Sequence, residues 1–213
     1  MNARRVAVTG AGIVSPLGAS LADFHRSLAE ARSGIRRLPE EIAQGSGVQV
    51  AATVAWDPSG LFTQAEAANI DRVAQFAIAA STQALKASGI DLDAANRDRM
   101  GVYWGTGMGG AHTLEASFKR LYADRDWRAR PLTVVMAMNN AAASNVAVRH
   151  GLRGPFANFS TACSSSAMAL GEAARTILAG RADAVVAGGA EALLTPGTQI
   201  GRASCRERVY VLV

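Results

Sequence analysis

The chain predicts an α/β domain in which helices cover both faces of a mostly parallel sheet, and three observations lead there. Short β-branched or apolar runs alternate with longer segments of helical periodicity. Most of those runs pass straight into glycine-containing turns. Two of the helical segments are so rich in small residues that they call for cover on more than one side. Elements in this order bury their apolar surface when the strands lie between helical layers.

Strands are expected at residues 4–9, 48–54, 100–106, 156–160 and 182–187. The first helix opens at Ser20, a residue type that caps helix starts, carries Leu21, Phe24 and Leu28 on one face, and stops by Gly34. Residues 35–70 hold Pro39, Gly45, Gly47, Pro58 and Gly60 and read as an excursion around one edge strand. A second helix spans 71–88, with Val73, Phe76, Ala77, Ala80, Ala84 and Leu85 inward and Gly89 at its end. Helices at 136–150 and 164–179 consist largely of Ala, Ser, Gly, Asn and Met. The latter belongs inside a molecule with more layers than this chain alone supplies.

At 213 residues, 49% of them apolar, the chain can bury a full core. Arg, Asp or Gly interrupts every apolar run before the roughly 18 to 20 residues a membrane helix needs, and the first residues lack a signal-peptide layout. The expected setting is the cytoplasm, with no membrane partner. A formal charge of +5 is spread along the chain without an aromatic-interleaved basic tract, so no nucleic-acid partner is expected. Cys163 and Cys205, the only cysteines, have unlike neighbours and no metal-ligand spacing, which excludes a disulfide framework and a metal site.

Several glycine-rich stretches invite nucleotide readings that their spacing does not support. After Gly10-Ala11-Gly12, the third glycine of a dinucleotide-binding turn would fall at Ser15, and Pro16 and Gly18 stand where the helix should be regular. Gly105-Thr106-Gly107-Met108-Gly109-Gly110 lacks the Lys-Ser/Thr ending of a phosphate loop. Gly188-Gly189-Ala190-Glu191 reads as a turn after a strand. No cofactor is expected. His25, His112 and His150 lack a second ligand or carboxylate at a telling offset, and His150 before Gly151 suits a cation at a helix end.

Phe159-Ser160-Thr161-Ala162-Cys163-Ser164-Ser165-Ser166-Ala167 sets a thiol between a predicted strand and a predicted helix. A helix start offers unpaired N–H groups and positive partial charge, which favour thiolate and can steady an oxyanion. Small neighbours leave room for an acyl chain, and thiolate attack on a thioester preserves the thioester bond energy. The competing reading is an inert buried cysteine. A serine-hydrolase elbow fails, because none of Ser164, Ser165 and Ser166 has glycine two residues to either side.

Four ordered blocks resemble the β-ketoacyl-(acyl carrier protein) synthases of the type I/II class: Val6 through Gly18, Gly151-Leu152-Arg153-Gly154-Pro155, Thr161-Ala162-Cys163-Ser164-Ser165-Ser166 and Ala187-Gly188-Gly189-Ala190-Glu191. The resemblance implies the N-terminal half of a thiolase-like αβαβα layered fold and a homodimer. It also implies an acyltransferase that performs decarboxylative Claisen condensation in fatty-acid or polyketide biosynthesis, with acyl and malonyl forms of acyl carrier protein as partners. In that family the cysteine of the T-A-C-S-S-S block accepts the acyl group, which puts the role on Cys163. The residue between the glycine pairs borders the acyl pocket, which makes Met108 a candidate gate for chain length. The family's two histidines, lysine and further oxyanion donor come from a second half, so this fragment alone is expected to be inactive in condensation. The alternative is a non-catalytic chain-length partner of a ketosynthase heterodimer, against which Cys163 argues; degradative thiolases differ in the quoted blocks.

From Ile200 through Tyr210 the sequence departs from that pattern and matches a translated sequencing-adapter read. Residues 1–199 are therefore expected to form the truncated domain and residues 200–213 a non-native tail, in which Cys205 carries no function.

Overall fold

A computed structural model describes residues 5–43, 48–128 and 130–199. The expected tail and Cys205 lie outside the described residues.

Ser20 caps the first helix as anticipated: its Oγ accepts the Asp23 N–H at 3.1 Å and opens α1 (Leu21–Ala29). Leu28, expected on the inner face, is exposed, and Ser27 is buried instead. The excursion then builds a ribbon of its own. After β1 (Ile35–Arg37) and α2 (Glu40–Ala43), β2 (Val50–Ala52) pairs antiparallel with β1, Ile35 opposite Ala52. A capping box between Thr63 and Glu66 starts α3 (Gln64–Ala68). Asp71 then caps α4 (Arg72–Ser88), which Gly89 ends in the left-handed conformation at φ 69°.

The remaining elements are β3 (Met100–Gly105), α5 (Ala111–Phe118) with a turn of π-helix at Lys119–Ala123, α6 (Thr133–Ala137), α7 (Ala141–His150), β4 (Phe156–Phe159), α8 (Ser165–Leu178) and β5 (Ala184–Gly189). The helix anticipated at 136–150 is thus divided. Met138 is extended, and Asn139, which a continuous helix would point elsewhere, donates its side-chain N–H to Ser160 Oγ.

Three strands form the main sheet in the order β4-β3-β5, all parallel. Every residue of β3 is buried, as a central strand covered on both faces requires. Met100, Val102 and Trp104 enter one core with Val73, Phe76, Ala77 and Ile78 of α4 and Ala143 and Val146 of α7. Tyr103 points the other way, packs with Ala169 and Ala173 of α8, and shares a 2.8 Å hydrogen bond with Thr176 Oγ1. The expectation of helices on both faces of a parallel sheet holds.

The first expected strand needs correction. Residues 5–9 join no ladder among the described residues. The stretch runs instead along α4, where a Cβ at Gly12 would lie 2.0 Å from Ala80 O and one at Gly10 2.1 Å from Ala84 O, leaving Val8 89% exposed. Among the described residues α8 is covered on one side, as expected of a helix that needs more layers than this chain supplies: Ser165, Ala169, Ala173 and Thr176 are buried, while Met168 and Leu170 are exposed, the latter by 54%.

His150 is not the charged helix cap anticipated. Burial, with Arg149 beside it, pushes its pKa down, and Nε2 lies 3.1 Å from Ser81 Oγ. Beyond the π-helical turn, hydrogen bonds from Arg120 and Arg128 hold the Asp126 carboxyl at about 2, below its ordinary 3.8. Because the folded value is the lower one, this stabilisation is complete above about pH 4 and is lost as pH falls through about 2. An NMR titration should place the Asp126 midpoint well below 3.8; a midpoint near 3.8 would show that the two arginines do not hold it.

Candidate active site

The register of the sheet assembles one edge. Gly105 is opposite both Phe159 and Gly189, so β3, β4 and β5 end side by side and release three loops next to one another. Helix α8 starts directly over β3: a Cβ on Gly105 would lie 2.3 Å from the Ser165 carbonyl carbon and 2.5 Å from Ser166 N. Glycine at 105 is what permits that approach.

Cys163 occupies the middle of a one-turn 3-10 helix, Ala162–Ser164, that leads into α8, and it is exposed. The thiol is therefore at a helix start, as the sequence predicts, and not sealed in a core. Ala162 holds φ at 52°, a left-handed conformation that costs a residue with a Cβ about 1 to 2 kcal/mol. Ser165 secures it. Its Oγ accepts the Thr161 N–H at 2.8 Å and lies 2.7 Å from Ala162 O, to which it donates. Ser164 Oγ adds a bond to Thr161 O at 2.7 Å. In the sequence these serines read only as rival nucleophiles; their spacing from Thr161 is the sign that they close the turn.

Met108 stands on the neighbouring loop, 51% exposed. That loop is fastened to the cysteine turn at Gly107, whose carbonyl accepts from Ser160 Oγ at 3.2 Å, Ser160 in turn accepting from Asn139. On its other side Gly107 donates its N–H to Glu191 Oε2 at 2.6 Å, and Thr106 Oγ1 donates to Glu191 Oε1 at 3.1 Å while accepting the Gly109 N–H. Glu191 was missed by sequence reasoning, which took Gly188-Gly189-Ala190-Glu191 for a turn only. A carboxylate two residues beyond a strand's final glycine was the sign.

The histidines stand apart from these bonds. His25 is exposed, His150 pairs with Ser81, and His112 lies near Asp71 and Glu115, with burial pushing its pKa down. Among the described residues no group of three or more His, Cys, Asp or Glu side chains is placed to hold a metal, and no helix is long and apolar enough to cross a membrane.

An exposed thiol thus stands on a strained strand-to-helix turn, with a glycine loop fastened beside it. The chain belongs to the family described as beta-ketoacyl synthase, N-terminal domain, whose model matches residues 3–207. The 3-oxoacyl-[acyl-carrier-protein] synthase 2 of Vibrio harveyi is 36% identical over 197 residues, which cover 92% of this chain and 48% of the relative. The chain thus spans about half the length of the curated relatives it matches. A beta-ketoacyl synthase from Burkholderia phymatum superposes with a TM-score of 0.82 at 27% identity, covering 94% of this chain and 50% of its own. A type II polyketide ketosynthase solved in complex with its acyl carrier protein shares the fold at a TM-score of 0.78 and 24% identity, over 92% of this chain and 53% of that one. The layers described above are accordingly the N-terminal half of the thiolase-like ketosynthase fold.

Proposed function

We propose that the chain is the nucleophile-bearing half of a β-ketoacyl-(acyl carrier protein) synthase, with residues 1–199 as its domain, working in the cytoplasm as a homodimer. The observation that carries this reading is Cys163, exposed on a strained turn at the start of α8. Its sulfur attacks the thioester carbonyl of an acylated carrier protein. A new carbon–sulfur bond forms, the bond to the carrier sulfur breaks, and the carrier leaves as a thiol with the proton that the cysteine has lost. Backbone N–H groups at the helix start, that of Cys163 among them, steady the oxyanion between these steps.

Condensation follows in the whole enzyme. Malonyl carrier protein loses carbon dioxide, its α-carbon attacks the acyl group, and the Cys163 thioester breaks as the carbon–carbon bond forms. Two histidines and a lysine, which the resemblance places in the second half of the fold, serve that step beside the Cys163 thioester. The one-sided cover of α8 supports this division, since the second half would lie on Met168 and Leu170 and complete the layers. Against the non-catalytic partner reading stands Cys163 itself.

The test is to incubate the full-length protein with acyl carrier thioester and map the mass increase. Acyl on a Cys163 peptide supports the reading, and acyl elsewhere ends it. A bulkier gate checks the second assignment. Met108→Phe should shorten the accepted primers, because a rigid ring replaces a flexible thioether, and an unchanged product profile would remove Met108 from the pocket.

A further inference from the structure

We infer that Glu191 is a positioning residue of the acyl site, whose carboxylate fixes the loop that carries Met108 against the turn that carries Cys163. This rests on the function proposed above and assigns it a residue beyond the thiol and the gate. One carboxylate binds two consecutive residues of the loop, the Thr106 hydroxyl at 3.1 Å and the Gly107 N–H at 2.6 Å. A charged acceptor makes such bonds about twice as strong as neutral ones. The Gly107 peptide is held from its other end by Ser160, three residues before the thiol. Space is tight on the carboxylate side, where a Cβ on Gly107 would lie 2.8 Å from Glu191 Oε2, while Ala162 Cα stands in ordinary contact at 4.0 Å. With Glu191 in place, the loop backbone next to Met108 has one position relative to the cysteine turn. Without it, the Gly107 N–H loses its partner and the glycines on either side let the loop drift.

The consequence is selectivity. A gate discriminates acyl chains by length only if its backbone stays where it is, so Glu191 acts on which chain Cys163 accepts and not on the thiol itself.

The experiment measures rates of Cys163 acylation in the full-length protein with butanoyl and hexadecanoyl carrier-protein thioesters, read by intact-protein mass spectrometry. The wild-type protein should favour one of the two. Glu191→Ala should move the rate ratio towards unity by about fivefold or more, as loss of a charge-assisted hydrogen bond allows. Glu191→Gln keeps an acceptor for Gly107 and an amide facing Thr106 and should restore the ratio. Alkylation of Cys163 by iodoacetamide should stay within about twofold in both variants, since Ser165 binds Thr161 and Ala162 of that turn directly at 2.8 and 2.7 Å. Should Glu191→Ala fail to fold, Thr106→Val removes the second anchor at constant volume and should shift the ratio in the same direction. A wild-type ratio near unity, or a ratio that Glu191→Ala and Thr106→Val leave unchanged, overturns the inference while acylation of Cys163 stands. Absence of acylation in the wild-type protein overturns the proposed function and this inference with it.

Discussion

Cys163→Ala in the full-length protein is expected to abolish acyl-enzyme formation, a loss of at least about 10⁴-fold in acyl transfer. No neighbour can take over. Ser164 and Ser165 are committed to holding the turn through Thr161 and Ala162, and an alcohol without an adjacent base is a far weaker nucleophile than a thiolate. Iodoacetamide should label Cys163 first in the native protein, because the residue is exposed, and the alanine variant should lose that fast-reacting site. The fold should barely notice the change, since the side chain contributes to no core. A variant that still accumulates acyl-enzyme at the wild-type rate would remove Cys163 from the mechanism.

Gly105→Ala should be the most damaging single-methyl substitution near the site. The added Cβ runs into the Ser165–Ser166 peptide group, 2.3 Å from Ser165 C, 2.5 Å from Ser165 O and 2.5 Å from Ser166 N, and none of these backbone atoms can rotate away. Relief requires α8 to lift from β3, which disturbs the Tyr103 packing and the Thr176 hydrogen bond together. Overpacking of this kind costs about 3 kcal/mol or more. At this chain length that lowers Tm by about 6 to 12 °C. Gly60→Ala, with nothing within 4 Å of its Cβ, is the comparison and should leave Tm nearly unchanged. Equal melting of the two variants in a thermal scan would show that the close approach at Gly105 is not needed.

The sequence made the central strand, its parallel neighbours and the cysteine junction legible because each is encoded locally. Met100 to Gly105 is an apolar run that ends in glycine, and α4 shows its terminal Gly89 as plainly as its inward face, although its first residue, Asp71, proves to be the cap and not part of the helix. Residues 5–9 misled because β-branched composition speaks for a strand without saying whether a partner lies beside it; the glycines that follow press the chain onto α4 instead. At the break between α6 and α7 Asn139 bonds Ser160, a contact 21 residues away that no local periodicity records. The same holds for Glu191, whose partners at 106 and 107 lie more than 80 residues earlier in the chain. Side chains that bind across loops are written in the tertiary structure, and a single sequence offers only their chemical type.

The alignment of Gly105 with Phe159 and Gly189 has a consequence for how such a chain can diversify. Because the middle strand is the common ruler for all three loops, sliding it by a single position would turn its alternate side chains inside out and carry thiol, glycine loop and carboxylate out of reach of one another at once. Insertions are thus tolerable beyond the strand ends, where a loop can lengthen by itself, and ruinous within the six residues of β3.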